Sequence, residues 1–166
     1  MAITYDKIAT TTLAVGATTI NLTSIPATYT DLRLVIVQTN GAGNYVQLQY
    51  NGDTGSNYST TYLGGNGATA TSGRVTSSTS VRTSLNAYSS TTVPCFTTAD
   101  IFSYAGSTYK TCLTTESWDL NGTGENSYNA SLWQSTAAIT SILIKQNGGG
   151  NFDIGATATL YGILKA

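Results

Sequence analysis

Short segments in which apolar and polar residues alternate recur along most of the chain. Tyr45–Tyr50 shows the pattern most clearly, with Val46, Leu48 and Tyr50 on one face and glutamines between them. Alternation with a period of two is typical of a β-strand that has one buried face. Val, Ile, Thr and Tyr dominate these segments, and these residues favour strands over helices. The pattern therefore predicts a chain built almost entirely of β-strands.

Ten segments carry this strand pattern, and residues typical of turns separate them. In chain order they are Ile8–Val15, Thr18–Ile25, Leu32–Thr39, Tyr45–Tyr50, Tyr58–Leu63, Pro94–Tyr104, Lys110–Asp119, Asn126–Gln134, Ile139–Gln146 and Thr157–Leu164. Turn signals at a spacing of roughly 8–12 residues, without helices between the strands, are typical of sandwiches and barrels. We predict an all-β fold, an antiparallel β-sandwich that is jelly-roll-like and has about eight to ten short strands.

Two local patterns make finer predictions. The unbroken apolar run Leu34–Val37 indicates a central strand that is covered on both faces. Asn51-Gly52 follows the strand Tyr45–Tyr50, and Asn-Gly is the strongest short signal for a β-hairpin.

The length of 166 residues predicts a single domain, residues 1–166, because a chain near this size buries roughly 70% of its unfolded surface. Residues 1–12 lack strong patterning, and we expect them to form an N-terminal arm that orders only against a neighbour. Residues 55–86 are rich in Gly, Ser, Thr and Asn, which predicts a long loop-rich insertion. Within it we expect a mobile tip over 64–73 and an irregular edge segment over 74–85.

The chain carries little charge. Charged residues make up 9% of the chain, the net charge is −1, Thr occupies 31 positions and His is absent. Binding to nucleic acid needs clustered Lys and Arg, and the seven basic residues are spread along the chain. No segment approaches the 18 apolar residues of a membrane span, and no signal peptide is visible. We therefore expect no nucleic acid and no membrane as partners, and synthesis in a cytoplasm.

The sequence offers few residues suited to catalysis or to binding a cofactor. Without His the usual base for a Ser or Thr nucleophile is missing, and a zinc site lacks ligands. The Asn51–Gly55 and Asn147–Asp153 segments lack the carboxylates of a calcium loop, so we interpret them as ordinary turns. We predict that the protein is not an enzyme and has no cofactor and no metal.

Glu116 and the two cysteines leave alternatives open. Glu116 lies two residues from Trp118 on the same strand face, and with a second carboxylate it could hydrolyse a glycoside. The interpretation we favour places Glu116 at the rim of a solvated strand. Cys95 and Cys112 are expected to be small buried residues, although a disulfide across neighbouring strands would need only suitable geometry.

The chain has eleven tyrosines. Tyr offers a large contact area and tolerates water, and interfaces are enriched in it. Seven tyrosines in or beside the middle of the chain are candidate interface residues: Tyr45, Tyr50, Tyr58, Tyr62, Tyr88, Tyr104 and Tyr109.

Several stretches resemble structural proteins of tailed bacteriophages. They are MAITYDKIATTTL, IPATYTDLRLV, LQYNGDTGSNYSTTYL, LWQSTAAITSI and GNFDIGATATLYGI. Within that group the chain is most similar to head decoration, or capsid cement, proteins. The resemblance implies a virion protein, made in the host bacterial cytoplasm, that binds the major capsid protein on the capsid surface as a homotrimer and stabilises the head. It implies no catalytic residues. The alternative is a tail-fibre or baseplate module that binds host surface glycans through Tyr- and Asn-rich loops.

Overall fold

The computed structural model describes residues 5–164, which fold into β-strands and one short 3₁₀ turn, Asn147–Gly149. The strands are β1 (Tyr5–Thr12), β2 (Thr19–Leu22), β3 (Asp31–Asn44), β4 (Val46–Tyr50), β5 (Tyr58–Gly65), β6 (Ala70–Ser78), β7 (Val81–Arg82), β8 (Tyr88–Phe102), β9 (Lys110–Asp119), β10 (Gly124–Trp133), β11 (Ile142–Gln146) and β12 (Thr157–Ile163). None of the described segments is a helix long and apolar enough to cross a membrane.

The strands form two antiparallel sheets. One sheet has eight strands in the order β1-β12-β3-β8-β9-β10-β5-β6, and the other has four in the order β2-β11-β4-β7. The predicted all-β antiparallel sandwich is confirmed.

Eight of the strands pair in a nested series. Strand β1 pairs with β12, β2 with β11, β3 with β8 and β4 with β7. Pairing from the ends of the chain inwards describes one long hairpin rolled into two sheets, which is a jelly roll. The hairpins β5–β6 and β9–β10 are insertions into this series, and they extend the eight-stranded sheet past β8.

The apolar core lies between the four-stranded sheet and the β12-β3-β8 part of the other sheet. Leu34, Leu48, Ile144 and Leu160 are completely buried there. Only alternate residues of β3 face this core, so Leu34 and Ile36 are buried while Val37 is 36% exposed. The prediction that Leu34–Val37 is covered on both faces is therefore wrong for its outer face.

The N-terminal segment and the 55–86 segment differ from expectation. Residues 5–12 form β1, which pairs with β12 of the same chain, and residues 1–4 of the expected arm lie outside the described residues. Most of 55–86 is a β-hairpin with one register shift between Tyr58 and Thr60; Leu63 lies opposite Ser72, and the turn is confined to residues 66–69. The segment Tyr58–Leu63 was predicted and corresponds to β5, whereas the polar composition of β6 concealed that strand.

The Asn51-Gly52 turn is present but does not make a hairpin. Both residues have positive φ, 54° and 68°, as the Asn-Gly signal requires. The chain then crosses from β4 in one sheet to β5 in the other. The Asn51 side chain accepts hydrogen bonds from the Thr140 and Ser141 amides, so it joins this corner to the segment that precedes β11.

Candidate functional site

The outer face of the extended sheet carries exposed apolar side chains. Leu63 is 56% exposed, Leu113 46% and Tyr128 62%. The register brings them together, because Tyr128 lies opposite both Leu63 and Thr115, and Ala130 lies opposite both Leu113 and Thr61. We call these six residues the outer-face patch: Thr61, Leu63, Leu113, Thr115, Tyr128 and Ala130.

The outer-face patch forms a shallow groove of about 510 Å³. Charged residues adjoin the patch: Asp100 also lines the groove, with its Oδ1 3.5 Å from Arg33 Nη1, and Arg74 lies opposite Thr61 in the β5–β6 ladder. The six residues themselves are uncharged. Large contiguous apolar patches are rare on monomers and usually mark sites of association, so this surface is suited to contact with another protein.

The patch is exposed because the β9–β10–β5 region has its polar residues inside. In β10, Ser127, Asn129 and Ser131 are buried, whereas Tyr128 and Ala130 face outwards. Alternation along the sequence showed two faces of this strand. It did not show which face points inwards, and that orientation was missed.

Four of the seven candidate interface tyrosines are interior residues. Tyr50, Tyr58, Tyr88 and Tyr104 are at most 1% exposed, so they cannot contact a partner in this fold and that assignment is corrected. Tyr50 and Tyr58 pack with Trp133 in an aromatic cluster, with ring centroids 5.5 Å and 6.2 Å from the indole.

The remaining three tyrosines lie at or near the surface but not together in the patch. Tyr45 and Tyr62 are half-buried, and the Arg82 guanidinium lies 4.7 Å and 5.1 Å from their ring centroids. Tyr109 is 53% exposed in the loop before β9. Tyr128, the most exposed tyrosine in the described chain, was not among the seven.

Glu125 fastens the segment 83–87, here called the strap, to the inner face of the extended sheet. Its Oε1 accepts hydrogen bonds from the Ser84 hydroxyl and from the Leu85 and Asn86 amides at 3.0–3.1 Å. Its Oε2 accepts one from Asn86 Nδ2 at 2.6 Å. One carboxylate buried at the sheet surface thus satisfies four donors of the strap.

Glu116 lies on the same inner face and is 1% exposed. Its Oε2 accepts hydrogen bonds from the Thr83 and Thr97 hydroxyls at 3.1 and 3.0 Å, while its buried Oε1 has no partner within the described chain. Burial raises the pKa of Glu116 to about 7, although the hydroxyl hydrogen bonds act in the opposite direction. The predicted solvated rim position is wrong, and a substrate cannot reach this carboxyl.

The two cysteines are free and buried, as expected for small core residues. Cys112 lies opposite Ile101 in the β8–β9 ladder, six positions along β8 from Cys95. Six residues of strand span about 20 Å, so the alternative of a disulfide does not hold. Burial raises the pKa of the Cys112 thiol to about 12, which keeps it protonated.

In the Asn51–Gly55 turn, the Asp53 carboxylate accepts hydrogen bonds that stabilise the fold. Asp53 accepts hydrogen bonds from Trp133 Nε1 at 2.7 Å, from Asn57 Nδ2 and from the Gly55 amide. The indole hydrogen bond is the main cause that lowers the pKa of Asp53. Among residues 5–164, no three His, Cys, Asp or Glu residues lie close enough together to hold a metal ion.

Comparisons of the chain with protein-family models, with curated proteins and with solved structures found no match. A jelly roll by itself does not identify a function, since unrelated functions share such folds. Of the features described above, the outer-face patch is the one whose chemistry points to a partner.

Proposed function

We propose that this protein is a non-enzymatic structural subunit that associates with further copies of itself through the outer-face patch. In its finer form the proposal is a homotrimer that binds the major capsid protein on the outside of a tailed-phage capsid as a decoration, or cement, protein. The observation that carries the proposal is the uncharged patch on which Leu63, Leu113 and Tyr128 are about half exposed or more.

A second copy of the chain is the occupant that suits the patch best. An exposed apolar patch favours aggregation until it is covered, and another copy from the same synthesis is the first surface available to cover it. The eight-stranded sheet has seven strand spacings of about 4.8 Å, or roughly 34 Å in all. The outer-face patch covers only β9, β10 and β5 of this face, so an interface of the standard roughly 800 Å² per partner must extend beyond the patch onto the neighbouring strands.

The charge content also supports self-association. A net charge of −1 and 9% charged residues leave little repulsion between copies. The buried polar groups that could otherwise serve chemistry are engaged in structure, with Glu125 saturated by the strap and Glu116 inaccessible.

The virion role is supported by the resemblance of MAITYDKIATTTL, LQYNGDTGSNYSTTYL and the other quoted segments to tailed-phage structural proteins. A trimer that contacts a repeating lattice at several points gains from multivalency, so each contact can be weak while the set binds firmly. Decoration of the capsid surface needs no catalytic group, no cofactor and no nucleic-acid surface.

The oligomeric state tests the first part of the proposal. Leu63→Asp places a charge in the patch, and we expect it to convert the oligomer to a monomer in sedimentation or light-scattering measurements. Ile154→Asp is the matched control, because Ile154 is 66% exposed and lies outside the patch. A monomeric wild-type chain, or equal behaviour of the two variants, would contradict association through this face.

Binding to phage heads tests the second part of the proposal, the role as a capsid decoration protein. The protein should co-purify with DNA-free heads and raise their resistance to heat or osmotic shock. Leu63→Asp should lower occupancy if trimerisation supplies the multivalency. Heads whose resistance does not depend on the protein would argue against the decoration role and leave self-association standing.

A further inference from the structure

A row of cross-strand neighbours runs through the outer-face patch and ends in a charge on each side. It takes one residue from each of β8, β9, β10, β5 and β6, in the order Asp100, Leu113, Ala130, Thr61 and Arg74. Ala130 on β10 is the centre of this row, with an acidic residue at one end and a basic residue at the other. The row is therefore antisymmetric in charge about β10.

The two charges lie at equal distances from the centre of the row. Neighbouring strands are about 4.8 Å apart, so Asp100 and Arg74 are each two strands, or roughly 10 Å, from Ala130. The next row on the same face is centred on Tyr128 and contains no charge; its residues are Thr98, Thr115, Tyr128, Leu63 and Ser72. An uncharged middle is thus flanked by opposite charges on two sides.

Both charged groups are available to a partner. Arg74 is exposed and makes no ion pair or hydrogen bond with residues 5–164. The Asp100 side chain is 30% exposed, its Oδ1 lies 3.5 Å from Arg33 Nη1, and that oxygen accepts no hydrogen bond from the described part of the chain. A solvent-exposed ion pair contributes little free energy, so the Arg33 contact does not exhaust the Asp100 carboxylate.

Charge complementarity identifies a second copy of the chain as the occupant of this face. Rotation by 180° about an axis that runs along β10, in the plane of contact, exchanges β8 with β6 and β9 with β5. Asp100 of each copy then faces Arg74 of the other copy, on both sides of the centre, and Tyr128 faces Tyr128. A surface that is complementary to itself in this way is what a two-fold interface requires.

A two-fold axis across the strands does not suit the same charges. Placed over the row of Ala130, such an axis leaves each strand above its own counterpart, so Asp100 faces Asp100 and Arg74 faces Arg74. Like charges placed opposite one another disfavour association. The charges therefore favour the axis along β10.

The five strands also supply enough surface for a stable pair. Strand β6 has nine residues, and β9 and β10 have ten each. Five strands span about 24 Å across, and strands of this length span about 30 Å, which gives roughly 700 Å². This area is close to the roughly 800 Å² per partner of a standard interface, and aligned stacking of two sheets is a common packing.

We propose that two copies pair face to face about a two-fold axis along β10, with Tyr128 at the centre and with reciprocal ion pairs between Asp100 and Arg74 that fix the register. This inference rests on the self-association part of the proposed function and specifies its geometry. A contact of this symmetry joins only two copies, so the trimer of the finer proposal needs a further surface.

Charge reversal on separate chains tests the arrangement. Asp100→Lys and Arg74→Asp each bring like charges together twice in a homodimer, so each variant alone should dimerise at least about tenfold more weakly in sedimentation equilibrium. In a 1:1 mixture the introduced lysine faces the introduced aspartate, and the native Arg74 faces the native Asp100. The mixture should therefore dimerise with nearly the affinity of the wild type.

Lys7→Asp is the matched control, because Lys7 is exposed on β1, outside the five strands. It changes the net charge as Arg74→Asp does and should leave dimerisation unchanged. Chemical denaturation checks that each variant is folded. Arg74→Asp tests the proposal by itself if Asp100→Lys does not fold, because Arg74 is exposed.

Three results overturn the two-fold arrangement and leave self-association through the patch standing. They are dimerisation of Arg74→Asp as strong as that of the wild type, a mixture of folded variants as weak as its components, and a wild-type trimer that Leu63→Asp dissociates. A monomeric wild type contradicts the proposed function as well.

Discussion

The two halves of the sandwich interior are held together differently. Between the four-stranded sheet and the β12-β3-β8 part of the other sheet, the interior is mainly apolar, with Leu34, Leu48 and Ile144 completely buried. Beneath most of β9, β10 and β5, the buried side chains are mainly hydroxyls, amides and two carboxylates. Apolar packing is non-directional, whereas a polar interior is stable only where each group finds a partner.

This difference determines which substitutions each half of the interior tolerates. In the apolar half, a substitution is tolerated when it preserves the volume and shape of the core side chain. The polar half needs particular partners, such as the four strap donors that Glu125 accepts from. Placing polar residues inside also leaves apolar ones outside on the same strands, which is how the extended sheet acquires the outer-face patch.

The largest expected effect is in the apolar half. Leu48→Ala should lower the free energy of unfolding by about 4 kcal/mol, because Leu48 is completely buried and the cavity adds to the lost transfer energy. Chemical denaturation measures it. Leu113→Ala, at an exposed position, is the control and should change the stability by less than about 0.5 kcal/mol.

The second largest loss of stability is expected when the Glu125 side chain, which binds the strap, is removed. Glu125→Ala leaves two backbone amides and two side-chain donors without their acceptor, and we expect a loss of about 3 kcal/mol. Hydrogen exchange should show that the Leu85 and Asn86 amides lose protection before the apolar core does. Equal protection in the variant and the wild type would mean that the strap is held by something other than Glu125.

Glu116 should make the stability depend on pH. Its pKa is raised from 4.5 to about 7 in the folded state, so the folded chain binds this proton more tightly than the unfolded chain does. The stabilisation is complete below about pH 4.5 and is lost as the pH rises through about 7, in total about 3 kcal/mol. Glu116→Gln, which is neutral at every pH, should flatten this slope in denaturation curves at about pH 5 and pH 8. An identical slope in both proteins would contradict a protonated Glu116.

The smallest change in stability is expected for two neighbouring residues of β10. It tests whether the polar side chains of this strand face inwards and the apolar ones outwards. Tyr128→Ser should cost the isolated chain less than about 0.5 kcal/mol, because Tyr128 faces solvent. Asn129→Ala should cost about 1–2 kcal/mol, since its Nδ2 donates to Thr83 O and Thr114 Oγ1. If the aromatic substitution costs more, the outer face contributes to folding rather than to association.

The candidate site was less predictable than the fold. Tyrosine content indicated contact residues, yet Tyr50, Tyr58, Tyr88 and Tyr104 are buried, because a Tyr on an inward face of a strand packs like any other aromatic. The separation of Tyr128 and Ala130 from Ser127 and Asn129 onto opposite faces was visible in the sequence. That the polar face is the inner one depends on Glu125 and the strap, which are far apart in the chain.

The sequence alone determined the local structure. Alternation and β-branched content predicted most of the strands, though not β6, and Lys110–Asp119 was placed to the residue, because a period of two is a property of consecutive side chains. Only the tertiary structure decided which strand pairs with which, and which face is buried. Both depend on contacts between distant residues, such as Tyr5 with Ile163 and Asn86 with Glu125, which no local pattern records.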